Sequence, residues 1–260
     1  MNLDFICYPI GMLVKLLYNM VSILDTNILS AYAISIILAT IFFKLILMPL
    51  TLKQTKSMKV MQELSPQIKE IQKKYEKDPQ TLQRKQMELY KEANYNPMSG
   101  CLPMLIQMPI LIAFFYVIRQ PVQFIFQDQA FFDAMNKSFL WIKDLGYTEN
   151  FLFENGTFNG LSMGGLTIPF IGGVFPILAI MSGYSTYLTS KMTTASQPSM
   201  NEQQASTQKT MTMMMPVMLF VFSIQMPAGL ALYWVISNIF QVVQQYVILN
   251  SSKKPKEELK

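Results

Sequence analysis

From Ala31 to Leu52 the chain is apolar almost without interruption, and this run constrains the fold more than any other feature. As a helix rising about 1.5 Å per residue, it is long enough to cross a hydrocarbon layer of about 30 Å. One charge, Lys44, sits well inside it. An ammonium at that depth costs about 2.5–3.5 kcal/mol on the insertion scale. Snorkelling would relieve the cost, but Leu52 lies roughly 12 Å further along the helix, more than a lysine stem spans. No Asp or Glu in this run, or in the other long apolar runs, can neutralise the charge. A water-filled cavity around Lys44 is the least costly arrangement, and it marks Lys44 as a functional candidate.

Composition agrees with a membrane protein. Hydrophobic residues make up 51% of the chain and charged residues 14%, against about 25% charged in soluble domains. There is no histidine. That excludes Ser-His and Cys-His hydrolysis and any His-ligated metal site. Cys7 and Cys101 lie in different kinds of segment and are expected to be unpaired thiols.

Five spans are expected, at 31–52, 100–121, 172–190, 210–226 and 228–249. Gly172, Gly173 and Pro176 crowd the start of the third, as membrane helices tolerate. The fourth and fifth meet at 225–229, QMPAG, and should form an antiparallel hairpin. Residues 5–24 are a further apolar segment with Lys15 as its one charge. A signal peptide needs a basic segment before the core and a small-residue cleavage site after it. Neither is present, and too few residues precede Cys7 for a lipoprotein signal. An uncleaved interfacial helix within 1–30 is expected, with Tyr8, Lys15 and Tyr18 near the headgroups.

Charge sets the orientation. Residues 53–98 hold ten basic side chains, Lys53, Lys56, Lys59, Lys69, Lys73, Lys74, Lys77, Arg84, Lys85 and Lys91. The tail, 251–260, holds Lys253, Lys254, Lys256 and Lys260. The loop 122–171 has Lys137 and Lys143 against Asp128, Asp133, Asp144, Glu149 and Glu154. The positive-inside rule puts 53–98 and the tail in the cytoplasm, and 122–171 and the N-terminus outside. Within 53–98, Ser65-Pro66 and Asp78-Pro79 each read as a cap followed by a first-turn proline. Ile68, Ile71 and Tyr75 form one apolar stripe, and Leu82, Gln86, Leu89 and Ala93 another. A cytoplasmic helical hairpin turning near Lys77-Asp78 is expected. Residues 191–209 read as a polar, flexible cytoplasmic loop.

Polar side chains inside the spans are Thr40, Gln107, Ser182, Ser185, Tyr233, Trp234, Ser237 and Asn238. Each could make only an interhelical hydrogen bond; with Lys44 they could instead line a hydrophilic groove. Met211, Met213, Met214, Met215 and Met218 crowd the fourth span. They suit either ordinary packing or an adaptable surface for varied apolar helices.

Three stretches carry a resemblance. NPMSGCLPMLIQMPILIAFF (96–115), PAGLALYWVISNIFQVVQQ (227–245) and KLILMPLTLKQTKSMKVMQELSPQIKEIQKKY (44–75) are similar to signatures of the YidC/Oxa/Alb membrane protein insertases. Leu140-Trp141-Ile142-Lys143-Asp144-Leu145 resembles a short motif of that family's outer loop. The matches are collinear over about 30–250, as in the short, SpoIIIJ-like bacterial branch. The resemblance implies an all-α integral membrane protein: a five-helix core, an N-terminal interfacial helix and a cytoplasmic helical hairpin. It also implies a non-enzymatic insertase and chaperone without cofactor. Its groove would open to cytoplasm and lipid and close on the outer side, lined by Thr40 and Trp234 near the basic residue. Most relatives have arginine at that position, where this chain has Lys44. The resemblance implies nascent membrane proteins, the ribosome and the Sec translocase as partners; the charge of Lys44 adds a preference for clients with short acidic outer segments, and the basic tail adds anionic lipids. Two rivals stand beside this function. A small-solute or ion transporter would show internal repeats, and none is evident; an assembly scaffold would tolerate loss of Lys44.

Overall fold

The computed structural model describes residues 4–96, 102–147, 153–154, 157–158, 176–194 and 202–251. It is built mainly of helices. Helix α1, Asp4–Val21, buries Cys7, Ile10, Gly11, Val14 and Val21, a stripe at helical spacing, and exposes Phe5, Met12, Leu16 and Met20. The stripe packs on α2, Ala31–Lys74, and α4, Leu102–Arg119.

Helix α2 starts at a cap. The Ser30 hydroxyl accepts from Ala33 N at 3.1 Å, and Asp25 Oδ1 accepts from Ala31 N at 2.8 Å. The helix then runs for 44 residues through both Pro49 and Pro66. The expected cap at Ser65-Pro66 is therefore wrong. Met61 and Ile68 lie two turns apart on either side of Pro66, and both are buried with Tyr90 and Tyr95 in a small cluster of their own. That shared burial outweighs a proline penalty of about 3 kcal/mol. The second cap is as read: Asp78 accepts from Thr81 N, and Pro79 opens α3, Pro79–Glu92. Helix α3 packs back on the distal part of α2, with Gln86 buried.

After α4 come a π-helical turn, Val122–Phe126, and α5, Gln129–Ala134. Two-residue strands β1, Phe153–Glu154, and β2, Thr157–Phe158, pair antiparallel. Residues 136–147 cross the end of the bundle where α2 and the last helix begin. Leu140 N donates to Ile28 O at 2.6 Å and Ser30 N to Ser138 O at 3.0 Å. Gly229 N donates to Leu145 O at 2.9 Å and Ala228 N to Tyr147 O at 2.8 Å. Lys137 and Asp144 pair at 3.4 Å beneath this crossing.

Helix α6 is Ile177–Thr194, α7 Glu202–Gln225 and α8 Ala228–Ser251. Two expectations change here. Residues 191–194 and 202–209, read as loop, are helical; their Glu, Gln, Ala and Lys residues favour helix, and hydropathy alone cut the helices at the apolar boundary. The turn at 225–229 is present, but α7 packs mainly on α6 and touches α8 only sparsely. Gly183 allows this: its missing side chain brings α6 to within 3.1 Å of Phe220 Cβ, measured from an ideal Cβ position. The start of the third span, 172–175, lies outside the described residues, as do Cys101 and the tail from 252.

The main core joins Cys7 and Ile10 of α1, Tyr32 and Ile36 of α2, Phe114 and Val117 of α4, Leu178 of α6, and Leu232 of α8. Among the described residues, Asp4–Leu24 and the apolar part of α2 are long and apolar enough to cross a bilayer.

Candidate functional site

Lys44 is half-buried on α2. Its Nζ donates to Gln107 Oε1 on α4 at 3.2 Å. The other end of that amide, Nε2, donates to the Tyr233 hydroxyl on α8 at 2.9 Å. Ser237, one turn further along α8, hydrogen-bonds the same hydroxyl. The Tyr233 ring is fixed by stacking on Phe114, with centroids 4.2 Å apart and planes at 19°. Three helices thus converge on one ammonium. Helices α2 (from 31 to 52), α4 and α8 contain no carboxylate, so hydrogen bonding rather than an ion pair holds it.

The expected groove residues divide into two groups. The second group lies between α6, α7 and α8. Trp234 Nε1 donates to Thr186 Oγ1 at 2.8 Å. The Asn238 side-chain amide lies 3.1 Å from Ser185 Oγ and 2.9 Å from Thr186 Oγ1; with its oxygen on that side it also accepts from Trp234 Nε1 at 3.0 Å. Ser182 and Ser223 share a hydrogen bond of 2.6 Å between α6 and α7. Thr40 joins neither group: it is buried, and its hydroxyl donates to Ile36 O at 2.7 Å, one turn back on its own helix.

Thr186 and Ser223 were missed from sequence. Thr186 was legible in principle, one turn from Ser182. Its usual self-bond to the preceding turn, here to Ser182 O at 2.7 Å, gives no sign that the same oxygen also accepts from another helix. A third polar strip was also missed. Gln244 Nε2 meets Thr51 Oγ1 at 2.5 Å, beside buried Gln54, Thr55 and Gln245. It carries the polar α2–α8 seam away from Lys44 toward the distal part of α2.

Beside the Lys44 chain lies an apolar cleft of about 320 Å³ between α4, α7 and α8. Met108, Phe115, Leu219, Phe222, Met226 and Trp234 are among its walls. On α4 and α8, adjacent residues serve the two features: Gln107 and Tyr233 bind toward Lys44, while Met108 and Trp234 face the cleft. Met213, Met214 and Met218 of α7 are exposed. The arrangement can present a cation and hydrogen-bonding groups next to a surface that accepts an apolar helix. Among the described residues no cluster of ligating side chains could hold a metal ion.

Comparison with known proteins identifies the family of the chain. The model of the 60Kd inner membrane protein family matches residues 23–256. A membrane protein insertase YidC of Clostridium perfringens is 38% identical over 256 residues, 95% of this chain and 92% of the relative. One from Chlorobium luteolum is 38% identical over 223 residues, 86% of this chain, of which the chain spans 34%. A crystal structure of an active YidC insertase with its first transmembrane domain resolved is similar, with a TM-score of 0.57 and 30% identity. That match covers 95% of this chain and 47% of the other. The chain is therefore about as long as its clostridial relative and spans about a third of the Chlorobium one, and it belongs to the 60Kd inner membrane protein family, the family of the YidC membrane protein insertases.

Proposed function

We propose that the Lys44–Gln107–Tyr233 chain and the adjoining apolar cleft are the two halves of a client-binding groove in a membrane protein insertase. The observation that carries this is the half-buried Lys44, held by a neutral amide with no carboxylate in the surrounding spans, next to an apolar cleft between α4, α7 and α8. In this reading five helices span the bilayer: the apolar part of α2, then α4, α6, α7 and α8. Helix α1 lies in the outer interface. The distal part of α2 and α3 form a cytoplasmic hairpin, the N-terminus is outside and the tail is cytoplasmic. The ten basic residues between 53 and 98 support that orientation. Residues 136–147 then cap the outer end of the groove.

A client's short acidic outer segment enters from the cytoplasm and meets Lys44. At about 4 Å and an effective dielectric near 20 the pair is worth roughly 4 kcal/mol before desolvation. A membrane potential positive outside adds about 2.3 kcal/mol per acidic charge per 100 mV. The client's apolar helix leaves through the cleft toward lipid, over methionines that repack around varied side chains. No bond is made or broken, so the protein is not an enzyme and needs no cofactor. Thr40 shapes the wall behind Lys44; Ser182, Ser185 and Asn238 brace Trp234 at the cleft. The ribosome meets the basic hairpin first, with the tail and anionic lipid contributing less, and the Sec translocase is a further partner.

The test is reconstitution in liposomes with a small client bearing an acidic outer segment, read by protease protection. Lys44→Arg retains insertion and Lys44→Glu abolishes it. Equal insertion by wild type and Lys44→Glu, at matched protein levels, excludes the charge mechanism.

A further inference from the structure

We propose that Gln107 is the positioning residue for Lys44: its oriented amide holds the ammonium at depth and serves as the neutral acceptor that a client carboxylate displaces. The inference rests on the groove described above and specifies what Lys44 is doing before a client arrives.

An ammonium donates three hydrogen bonds and accepts none, so the Gln107 nitrogen facing it would set donor against donor. The donor-only ammonium therefore selects the amide oxygen, and the Tyr233 hydroxyl, able to donate or accept, takes the nitrogen. Nε2 donates to the Tyr233 hydroxyl at 2.9 Å, and Oε1 faces Lys44 at 3.2 Å. Tyr233 cannot swing away, because it is 2% exposed and stacked on Phe114. The amide is therefore held in place from behind, with its sense set by the ammonium. A lysine stem is flexible and snorkels when nothing holds it; here the held oxygen keeps Nζ between α2, α4 and α8. The hold is also exchangeable. A carboxylate is a stronger acceptor for an ammonium than a neutral amide, so an acidic client segment takes Lys44 from Gln107, while a neutral polar segment gains nothing by the exchange.

The experiment uses the full chain in proteoliposomes and two clients identical except for two Asp or two Asn in the outer segment. The readout is the ratio of acidic to neutral client inserted. A second readout is the rate at which a water-soluble amine reagent labels Lys44, followed by peptide mass analysis. Gln107→Glu places an internal carboxylate against Lys44; the ratio falls about tenfold and labelling slows. Gln107→Met keeps the length and removes the acceptor; the ratio falls severalfold and labelling quickens. A general loosening of the fold would quicken labelling in both variants and so contradicts the proposal. So does a wild-type ratio in either variant. If Lys44→Glu abolishes the acidic preference while both Gln107 variants keep it, the role of Gln107 falls and the groove stands. If Lys44→Glu also keeps it, both fall.

Discussion

Tyr233 and Trp234 are neighbours on α8, yet their polar atoms belong to separate hydrogen-bond systems. The Tyr233 hydroxyl accepts from Gln107 on α4, and Trp234 Nε1 donates to Thr186 on α6. Successive residues on a helix point about 100° apart, so one helix serves as a shared wall between two polar groups. The separation has a thermodynamic consequence. Trp234→Phe and Thr186→Ala remove the two ends of one hydrogen bond, so in a double-mutant cycle they couple by about 0.6–1.7 kcal/mol, the range found for hydrogen bonds within membranes. Tyr233→Phe and Thr186→Ala have no common partner and add to within about 0.5 kcal/mol. Reversible unfolding of the four variants of each cycle in mixed micelles checks both values. Coupling of Tyr233 with Thr186 equal to that of Trp234 would mean one continuous network.

The packing of α1 depends on a missing side chain. A Cβ at Gly11 would stand 2.0 Å from the Phe124 carbonyl oxygen and 2.7 Å from its carbon, both backbone atoms of the turn after α4. Neither can yield as a side-chain tip can, so Gly11→Ala lifts α1 from that turn, at a cost of about 1–3 kcal/mol. Cys7, one turn earlier and 1% exposed, reports the movement. In a Cys101→Ser background Cys7 resists maleimide, and adding Gly11→Ala should speed its labelling at least tenfold. Gly183→Ala is the control. It crowds α6 against α7 at 3.1 Å from Phe220 Cβ and leaves Cys7 protected.

What could be read from the sequence follows from which residues lack an innocuous alternative. Lys44 in an apolar run has none, so it pointed to a cavity, and the structure joins it to Gln107 and Tyr233, two of the polar residues singled out on other helices. Thr186 has an alternative, a bond to its own helix, so its second role as acceptor for Trp234 could not be read. Thr40 shows the reverse: it sits on the Lys44 face, but Ile36 O takes its hydroxyl. Pro66 misled because a local rule was applied without the tertiary burial of Met61 and Ile68 around it. The sparse contact between α7 and α8 was likewise illegible, since a tight turn fixes where two helices meet but not how far they diverge.

The start of α3 should be sensitive to acid. The Thr81 hydroxyl, then the Thr81 amide, donate to Asp78 and hold its carboxyl below the usual range. A depressed folded value means the contribution is fully present above the ordinary aspartate value of about 3.9 and is lost as pH falls through the folded one. Glu88 is also depressed, by Lys85 at 2.6 Å, so wild type alone would mix two groups. The measurement is the amide-exchange protection of Thr81 between pH 6 and 3, compared with Asp78→Ala. Wild type should lose protection below about pH 4, whereas the variant should be poorly protected throughout. Matching protection in both at pH 6 would mean the cap does not hold this turn.

The distal part of α2 and α3 bury Met61, Ile68, Tyr90 and Tyr95 in a cluster separate from the main core. Few side chains therefore tie this unit to the rest of the bundle, and its loss should be nearly neutral for the core. Replacing residues 66–92 with a short flexible linker removes Ile68 and Tyr90, half of the buried residues of the small cluster, but no member of the main core. It also removes seven of the ten basic residues between 53 and 98. The thermal midpoint of the shortened protein should stay within a few degrees of wild type, because additivity holds for units that share no partners. Insertion of an acidic client should fall steeply, and co-sedimentation with ribosomes should weaken and lose its salt dependence, since contacts to a polyanion scale with the cations available. Full insertion by the shortened protein would refute a recruiting role. A collapse of the thermal midpoint would instead make the unit part of the structural core, against the separation of the two clusters.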